Sequence, residues 1–211
     1  MDIIWAVREL CRGDGGFENM FDREKSSGKL AGLTGDSRDA ELFETLIYGE
    51  ARSTLIDMIC DAYNYNTFEN TIHAKLMSDG LDFTDAKRAL EIFYTAFGFP
   101  EYRDTDKSRI AILLDGDEKF STEYVGEAID GKEHGVGVRT CYYNGKWCSH
   151  DECVWINGEM TGFDNAKEME FEVFEDRKMG FVVNNNFVGR FKCIFSDGTE
   201  SYEPGVKLNI R

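Results

Sequence analysis

Apolar residues in the first hundred positions recur at the spacing of a helix rather than that of a strand. Near the N-terminus, Ile3, Ile4, Val7, Leu10 and Cys11 fall on one helical face. Similar patterns predict helices around residues 17–24, 42–47, 55–63, 68–76 and 86–97, whereas the Gly- and Ser-rich residues 26–36 indicate a loop. Helices joined by short turns predict a small antiparallel bundle.

The period changes to that of β-strands from about residue 107. Turn-forming pairs then recur along the chain: Asp115-Gly116, Asp130-Gly131, Asn144-Gly145, Asn157-Gly158, Asn184-Asn185 and Asp197-Gly198. Asn-Gly and Asp-Gly accept the positive φ of hairpin turns, so this frequency predicts consecutive hairpins. We therefore expect an α+β fold, with a helical bundle at 1–103 and an antiparallel sheet at 104–211. The polar segment 101–107 marks the predicted junction.

A glycine-rich unit recurs within the predicted sheet. Its best copy has Tyr124, Gly126, Gly131, His134, Gly135 and Gly137, a second has Trp155, Gly158 and Gly162, and a fragment has Phe187, Gly189 and Phe191. This pattern resembles the MORN repeat, a β-hairpin unit in which the histidine helps to hold a turn. Ala128 departs from it by replacing an aromatic, and Asp151 and Cys153 depart from it by replacing Tyr and Gly.

The resemblance implies an interaction or scaffold module, because MORN-like sheets mostly serve in that way and some are associated with lipid surfaces. The helical half also resembles a bacterial accessory helical domain around residues 80–90, where Gly80, Leu81, Ala86, Ala89 and Leu90 carry the likeness. No activity follows from that second resemblance.

The charge of the chain restricts its partners. The formal net charge is −16, and both halves are acidic. Nucleic acids and anionic membranes would repel such a chain, whereas a basic protein surface would attract it. No apolar run approaches the ~20 residues of a membrane span, and the N-terminus predicts an amphipathic helix rather than a secretory signal. We therefore expect a cytoplasmic protein.

The six cysteines favour reduced thiols over disulfides in that compartment. Four possible zinc ligands lie close in sequence, at Cys141, Cys148, His150 and Cys153, but they lack the paired C-x2-C spacing of a zinc knuckle. We expect no metal and no cofactor, with zinc at this cluster as the alternative.

Sequence motifs of catalysis are absent. The chain has no Gly-x-Ser-x-Gly nucleophile turn and no Gly-x4-Gly-Lys-Ser/Thr phosphate loop. This absence favours a protein that is not an enzyme. An enzyme with a buried carboxylate pair in a cleft between the two halves is the remaining catalytic alternative.

Aromatic residues give the candidate binding site. Tyr142, Tyr143, Trp147 and Trp155 cluster around one predicted hairpin, and such rings are enriched at binding hot spots. Neighbouring residues of a strand face opposite ways, so Tyr142 and Tyr143 cannot both be buried on one face. The hypothesis is a protein–protein interaction or scaffold protein with an acidic-rimmed aromatic surface. The alternative is an acidic inhibitor or immunity-type protein that masks a basic enzyme or nucleic-acid-binding surface. Self-association through a sheet edge is also open.

Overall fold

The N-terminal half of the chain is built of α-helices, eight of them in the residues that the structure describes. The computed structural model describes residues 2–12, 16–35, 37–103, 110–170, 174–208 and 210. Within these ranges the helices are α1 Ile3–Leu10, α2 Gly16–Asn19, α3 Arg23–Ser26, α4 Lys29–Thr34, α5 Ser37–Tyr48, α6 Arg52–Ile59, α7 Glu69–Ser78 and α8 Phe83–Ala96. Short 3₁₀ helices at Ala62–Thr67 and Pro100–Tyr102 follow α6 and α8. The predicted helical bundle is confirmed.

Residues 17–34 differ from the sequence prediction. The helix expected over 17–24 is divided into α2 and α3 because the carboxylate of Asp22 caps α3, accepting from the backbone N–H of Glu24 at 3.1 Å. The expected loop contains α4, which lies between Gly28 and Gly35, both with left-handed φ. Leu30 of α4 is fully buried. Burial of this side chain overrides the weak helix propensity of a glycine-containing segment.

Within the described part of the C-terminal half, nine strands form one sheet. They are β1 Ile110–Gly116, β2 Phe120–Ile129, β3 Lys132–Tyr143, β4 Lys146–Ile156, β5 Glu159–Met160, β6 Gly162–Glu170, β7 Phe174–Val183, β8 Asn186–Ile194 and β9 Glu200–Pro204. The order is β1-β2-β3-β4-β6-β7-β8-β9, with β5 paired to β4. Each pair of named strands is antiparallel. The predicted α+β class with consecutive antiparallel hairpins is confirmed.

The hairpin turns lie where the Asn and Asp residues predicted them. Asp130-Gly131, Asn144-Gly145 and Asn157-Gly158 have positive φ at both positions, from 51° to 90°. This is the geometry of the type I′ turn, whose twist matches that of paired strands. The first turn is displaced, since Gly116 still pairs with Ser121 and the turn follows at 117–119. There the Asp117 carboxylate accepts from the N–H groups of Lys119 and Phe120, both at 2.8 Å.

One hydrophobic core joins the helices to one face of the sheet. Val154 and Ile156 of β4 are two residues apart and point to the same face, while Phe163 and Phe181 are directly opposite each other on β6 and β7. The Phe181 ring lies 5.2 Å from that of Phe17. All five side chains belong to the same core cluster as the buried faces of α1, α5 and α8. The helices therefore cover the sheet around β4 and β6–β8.

The predicted junction lies at the edge of what the structure describes. The helical half ends at Tyr102 and β1 begins at Ile110, while residues 104–109, which include the predicted domain boundary, lie outside the described ranges. Arg103 contacts the sheet directly, because its Nη2 donates to the carbonyl oxygen of Glu152 at 3.0 Å. None of the described helices combines the length and apolar character that crossing a membrane would require.

Candidate interaction surface

Tyr142 and Trp147 face each other across the β3–β4 hairpin. The register pairs Tyr142 with Trp147 and Tyr143 with Lys146, on either side of the Asn144-Gly145 turn. A β-bulge precedes them, because Cys141 pairs with Ser149 and the intervening Cys148 has no opposite residue. Both rings are half-buried. The bulge thus shifts the register so that the two rings form one cross-strand pair.

The two adjacent tyrosines lie on opposite faces of the sheet. The Oη of Tyr142 is 3.4 Å from Oε2 of Glu123, on the face that carries Leu114 and Thr140. Tyr143 is 49% exposed on the other face, where Phe120 is its partner in the register. The Nζ of Lys119 lies 5.8 Å from the centre of the Tyr143 ring. The hairpin end therefore presents an aromatic side chain to each face.

An open groove lies beside Tyr142. Its volume is about 400 Å³, and its walls are Leu114, Asp115, Gly116, Ser121, Thr122, Glu123 and Tyr142. An aromatic ring, an aliphatic side chain and two carboxylates therefore border one concavity. Such a lining suits a side chain with an apolar stem and a cationic end.

Trp155 is fully buried, and the prediction that it belongs to the contact surface is wrong. Its ring lies 5.7 Å from that of Tyr124 in an edge-on arrangement, and the guanidinium of Arg139 covers it at 3.9 Å from the ring centre. Its Nε1 donates to the carbonyl oxygen of Gly137 at 3.4 Å. With Cys153 these residues form a small second core on the face opposite the helices.

Two glycines of the repeat make room for that second core. A Cβ at Gly137 would overlap the Tyr124 ring, and a Cβ at Gly126 would overlap the backbone of Gly137. The Oη of Tyr124 donates to the carbonyl oxygen of Glu127 at 2.8 Å. Burial raises the pKa of this phenol, so it remains a donor. The spacing Tyr124-x-Gly126 thus reflects a ring lying flat across neighbouring strands.

His134 contacts the first helix of the N-terminal half. The imidazole is buried and stacks on Trp5 of α1, with ring centres 4.9 Å apart and planes at 15°. Its Nε2 lies 3.7 Å from Oε1 of Glu9, also on α1. This histidine therefore forms a contact between the helical layer and the sheet.

A buried ion pair links the same helix to the sheet, and the sequence reasoning missed it. Nη1 of Arg8 lies 3.0 Å from Oε2 of Glu127, and each side chain is 1% exposed. Arg8 also donates to the carbonyl oxygens of Ala96 at 3.0 Å and Thr95 at 3.3 Å. Burial lowers the pKa of the guanidinium, and the charge of Glu127 opposes that effect. The sequence feature that could have revealed this pair is the position of Arg8, one turn after Ile4 on the apolar face of α1.

The cysteine cluster does not converge on one point. Cys153 lies in the second core, and burial raises the pKa of its thiol well above the ordinary value. Cys148 is the extra residue of the bulge, and the Nδ1 of His150 is 3.2 Å from the hydroxyl of Thr140. All six cysteines are free. Among the described residues, no group of three or more His, Cys, Asp or Glu is placed to hold a metal ion.

Two carboxyl groups are buried among the described residues. Glu127 is held by Arg8 and by the backbone N–H of Val136 at 2.7 Å. Asp164 is 1% exposed, and burial raises its pKa well above the ordinary value, helped by the charge of Asp151. Asp164 directly follows Phe163 of the main core, so its carboxyl group lies on the face of the sheet opposite Glu127. The buried carboxylate pair that an enzyme of the kind considered above would need is therefore not formed by these two residues.

Comparison with known proteins assigns the chain to no family. No protein-family model matches the chain, and no curated protein sequence matches it.

Proposed function

We propose that this chain is a non-catalytic cytoplasmic protein that binds another protein as an interaction or scaffold module. The contact surface is the hairpin surface, defined as Tyr142, Tyr143 and Trp147. One observation carries the proposal: Tyr142 and Trp147 pair across the β3–β4 hairpin, half-exposed, beside an open groove bordered by Glu123. A rigid hairpin that holds aromatic side chains at its tip is typical of a binding surface.

The rings supply the affinity in this proposal, and the carboxylates supply selectivity. Aromatic side chains bury a large area at little entropic cost, so they act as anchors when a partner covers them. The net charge of −16 steers a basic or neutral partner toward the surface and disfavours nucleic acids and anionic membranes. The resemblance of the sheet to MORN repeats agrees with a scaffold role.

The net charge also favours a second candidate function. An acidic inhibitor or immunity-type protein would mask a basic enzyme or nucleic-acid-binding surface by charge, with the aromatic residues secondary. Salt separates the two candidates, because the screening length falls from about 10 Å at ~0.1 M to about 3 Å at ~1 M salt. A complex anchored by rings persists at the higher concentration, whereas a complex held by charge dissociates.

Crosslinked affinity capture from the native cell tests the hairpin surface. The variants Trp147→Ala and Tyr143→Ala should each reduce recovery of a specific partner severalfold. Phe83→Ala is the matched control, because Phe83 is a 59% exposed ring at the start of α8. Equal recovery with the wild-type chain and both hairpin variants would refute the assignment of this surface.

A further inference from the structure

Three apolar side chains of β1 lie uncovered on the face of the sheet to which the helices dock. Ile110, Ile112 and Leu114 are 48%, 64% and 75% exposed. The register places them opposite Glu127, Val125 and Glu123 of β2. Because Glu127 reaches Arg8 of α1, this is the helix-bearing face, beyond the point where the helices end. We call Ile110, Ile112, Leu114 and Val125 the apolar strip.

The backbone of β1 is also free on one side. In the described part of the chain β1 stands at the end of the strand order and pairs with β2 alone. Every second residue of an edge strand directs its N–H and C=O away from the sheet. Natural edge strands are usually protected by Lys, Pro or inward charges, yet Ile110–Leu114 contains only apolar residues. A strand with an exposed apolar face and an unprotected edge is a site for strand addition.

The charge around β1 decides which strand would add there. Residues 110–129 carry five carboxylates, at Asp115, Asp117, Glu118, Glu123 and Glu127, against one cation, Lys119. Glu127 is already paired with Arg8. Asp115 directly follows Leu114 in β1, so its carboxylate lies on the face opposite the apolar strip. A second copy of this chain would bring the same carboxylates and the same net charge of −16, which opposes pairing of β1 with itself.

We infer that β1 binds an extended segment of a partner protein in which apolar residues alternate with Lys or Arg. The segment adds as a tenth strand beyond β1, so that its backbone satisfies the free edge. Its apolar side chains lie beside the apolar strip, and its cationic side chains point to the opposite face, toward Asp115 of β1 and the adjoining turn carboxylates Asp117 and Glu118. This inference rests on the proposed function and names the chemistry of the partner.

A synthetic peptide tests the inference without knowledge of the natural partner. The probe is a fluorescent peptide as long as β1 in which lysine alternates with valine, and fluorescence anisotropy reports its binding to the full chain. Ile112→Lys should weaken binding by about tenfold or more, because one buried aliphatic contact is lost and a cation is added. Met77→Lys makes the same charge change at a 48% exposed apolar residue of α7 and should leave binding unchanged. Equal loss in both variants would mean that only net charge matters, which overturns the inference.

Two further peptides separate strand addition from adhesion to an apolar surface. A peptide with N-methyl groups on all its amides keeps the side chains but cannot donate the edge hydrogen bonds along either side, and it should not bind. A peptide in which glutamate replaces lysine should bind far more weakly. Amide hydrogen exchange followed by NMR should show new protection along β1 when the lysine peptide is added. Undiminished binding of the N-methylated peptide, or protection elsewhere than β1, would contradict strand addition.

Sedimentation of the free protein tests whether a second copy of the chain covers β1 instead of a partner segment. We expect a monomer at micromolar concentration for both the wild type and Ile112→Lys. A wild-type dimer that becomes monomeric in Ile112→Lys would show that a second copy covers β1, and the inferred partner would then be wrong.

The outcomes also separate this inference from the proposed function. If Trp147→Ala abolishes capture of a cellular partner while the lysine peptide fails to bind, the hairpin surface stands and strand addition fails. If the peptide binds through β1 while capture is unaffected by Trp147→Ala and Tyr143→Ala, strand addition stands and the hairpin surface fails.

Discussion

The ion pair between Arg8 and Glu127 offers the sharpest test of how the helical layer is held on the sheet. Replacing Arg8 by Met keeps a good helix former of similar length in α1. The change leaves Glu127 as a buried carboxylate without its cation, and the carbonyl oxygens of Ala96 and Thr95 lose the hydrogen bonds from the guanidinium. Removing one partner of a buried pair typically costs about 3–5 kcal/mol. That is a large share of the ~5–15 kcal/mol by which domains are stable.

The double variant Arg8→Met/Glu127→Gln provides the decisive comparison. The glutamine keeps an acceptor for the N–H of Val136, which Glu127 accepts at 2.7 Å, while removing the buried charge. Each single change should therefore lower the free energy of unfolding strongly. The loss in the double variant should be smaller than the sum of the two single losses by about 2 kcal/mol or more. Urea unfolding, followed by far-UV circular dichroism and by tryptophan fluorescence, measures the free energies. Coincident transitions with the two probes establish that unfolding is two-state.

A surface pair one turn further along serves as the control. Arg12 lies 3.4 Å from Glu9 and is 35% exposed, so Arg12→Met should change the free energy of unfolding by less than about 1 kcal/mol. If the Arg8 and Glu127 effects are additive within about 0.5 kcal/mol, the two side chains do not act as a coupled pair and the reasoning fails.

Three further predictions concern the sheet. Asp164→Asn should stabilise the protein at neutral pH by about 1–3 kcal/mol, because burial raises the pKa of this carboxyl group and the group therefore costs stability once the pH exceeds its pKa in the unfolded chain. The difference in the free energy of unfolding should vanish near pH 3. A pH-independent difference in urea titrations would contradict this. Gly137→Ala should lower stability by about 1–3 kcal/mol or more in the same assay, since its Cβ would overlap the Tyr124 ring; no change would show that the ring can move aside. Trp155→Ala should lower the free energy of unfolding by about 3–5 kcal/mol, whereas Trp147→Ala should lower it by less than about 1–2 kcal/mol. Similar melting temperatures for the two variants would refute the difference in burial between the two tryptophans.

The succession of hairpins could be predicted because its cause is local. Asn144-Gly145 and Asn157-Gly158 specify type I′ turns by the positive φ that both residues accept, whatever the rest of the chain does. Consecutive strands joined by such turns have to pair as neighbours. The sequence alone therefore determined the antiparallel order of the sheet and the helical character of the first half.

The candidate site could be predicted only in part. Alternation along β3 correctly separates Tyr142 from Tyr143, but it does not reveal which rings a second core will cover. Trp155 is buried because Arg139 and Tyr124 close over it, and Tyr124 lies flat only because residue 137 is glycine. Those contacts join three strands, and no single segment of sequence contains them.

The docking of the helices was decided by tertiary structure. A period of two or of 3.6 residues shows that a strand or helix has an apolar face, but many partners can satisfy that face. Only the folded chain shows that α1 reaches β2 through Arg8 and Glu127, that α4 forms to bury Leu30, and that the helices stop short of β1. Local turn chemistry is encoded residue by residue, whereas the choice of which apolar surface stays exposed depends on the packing of the whole molecule.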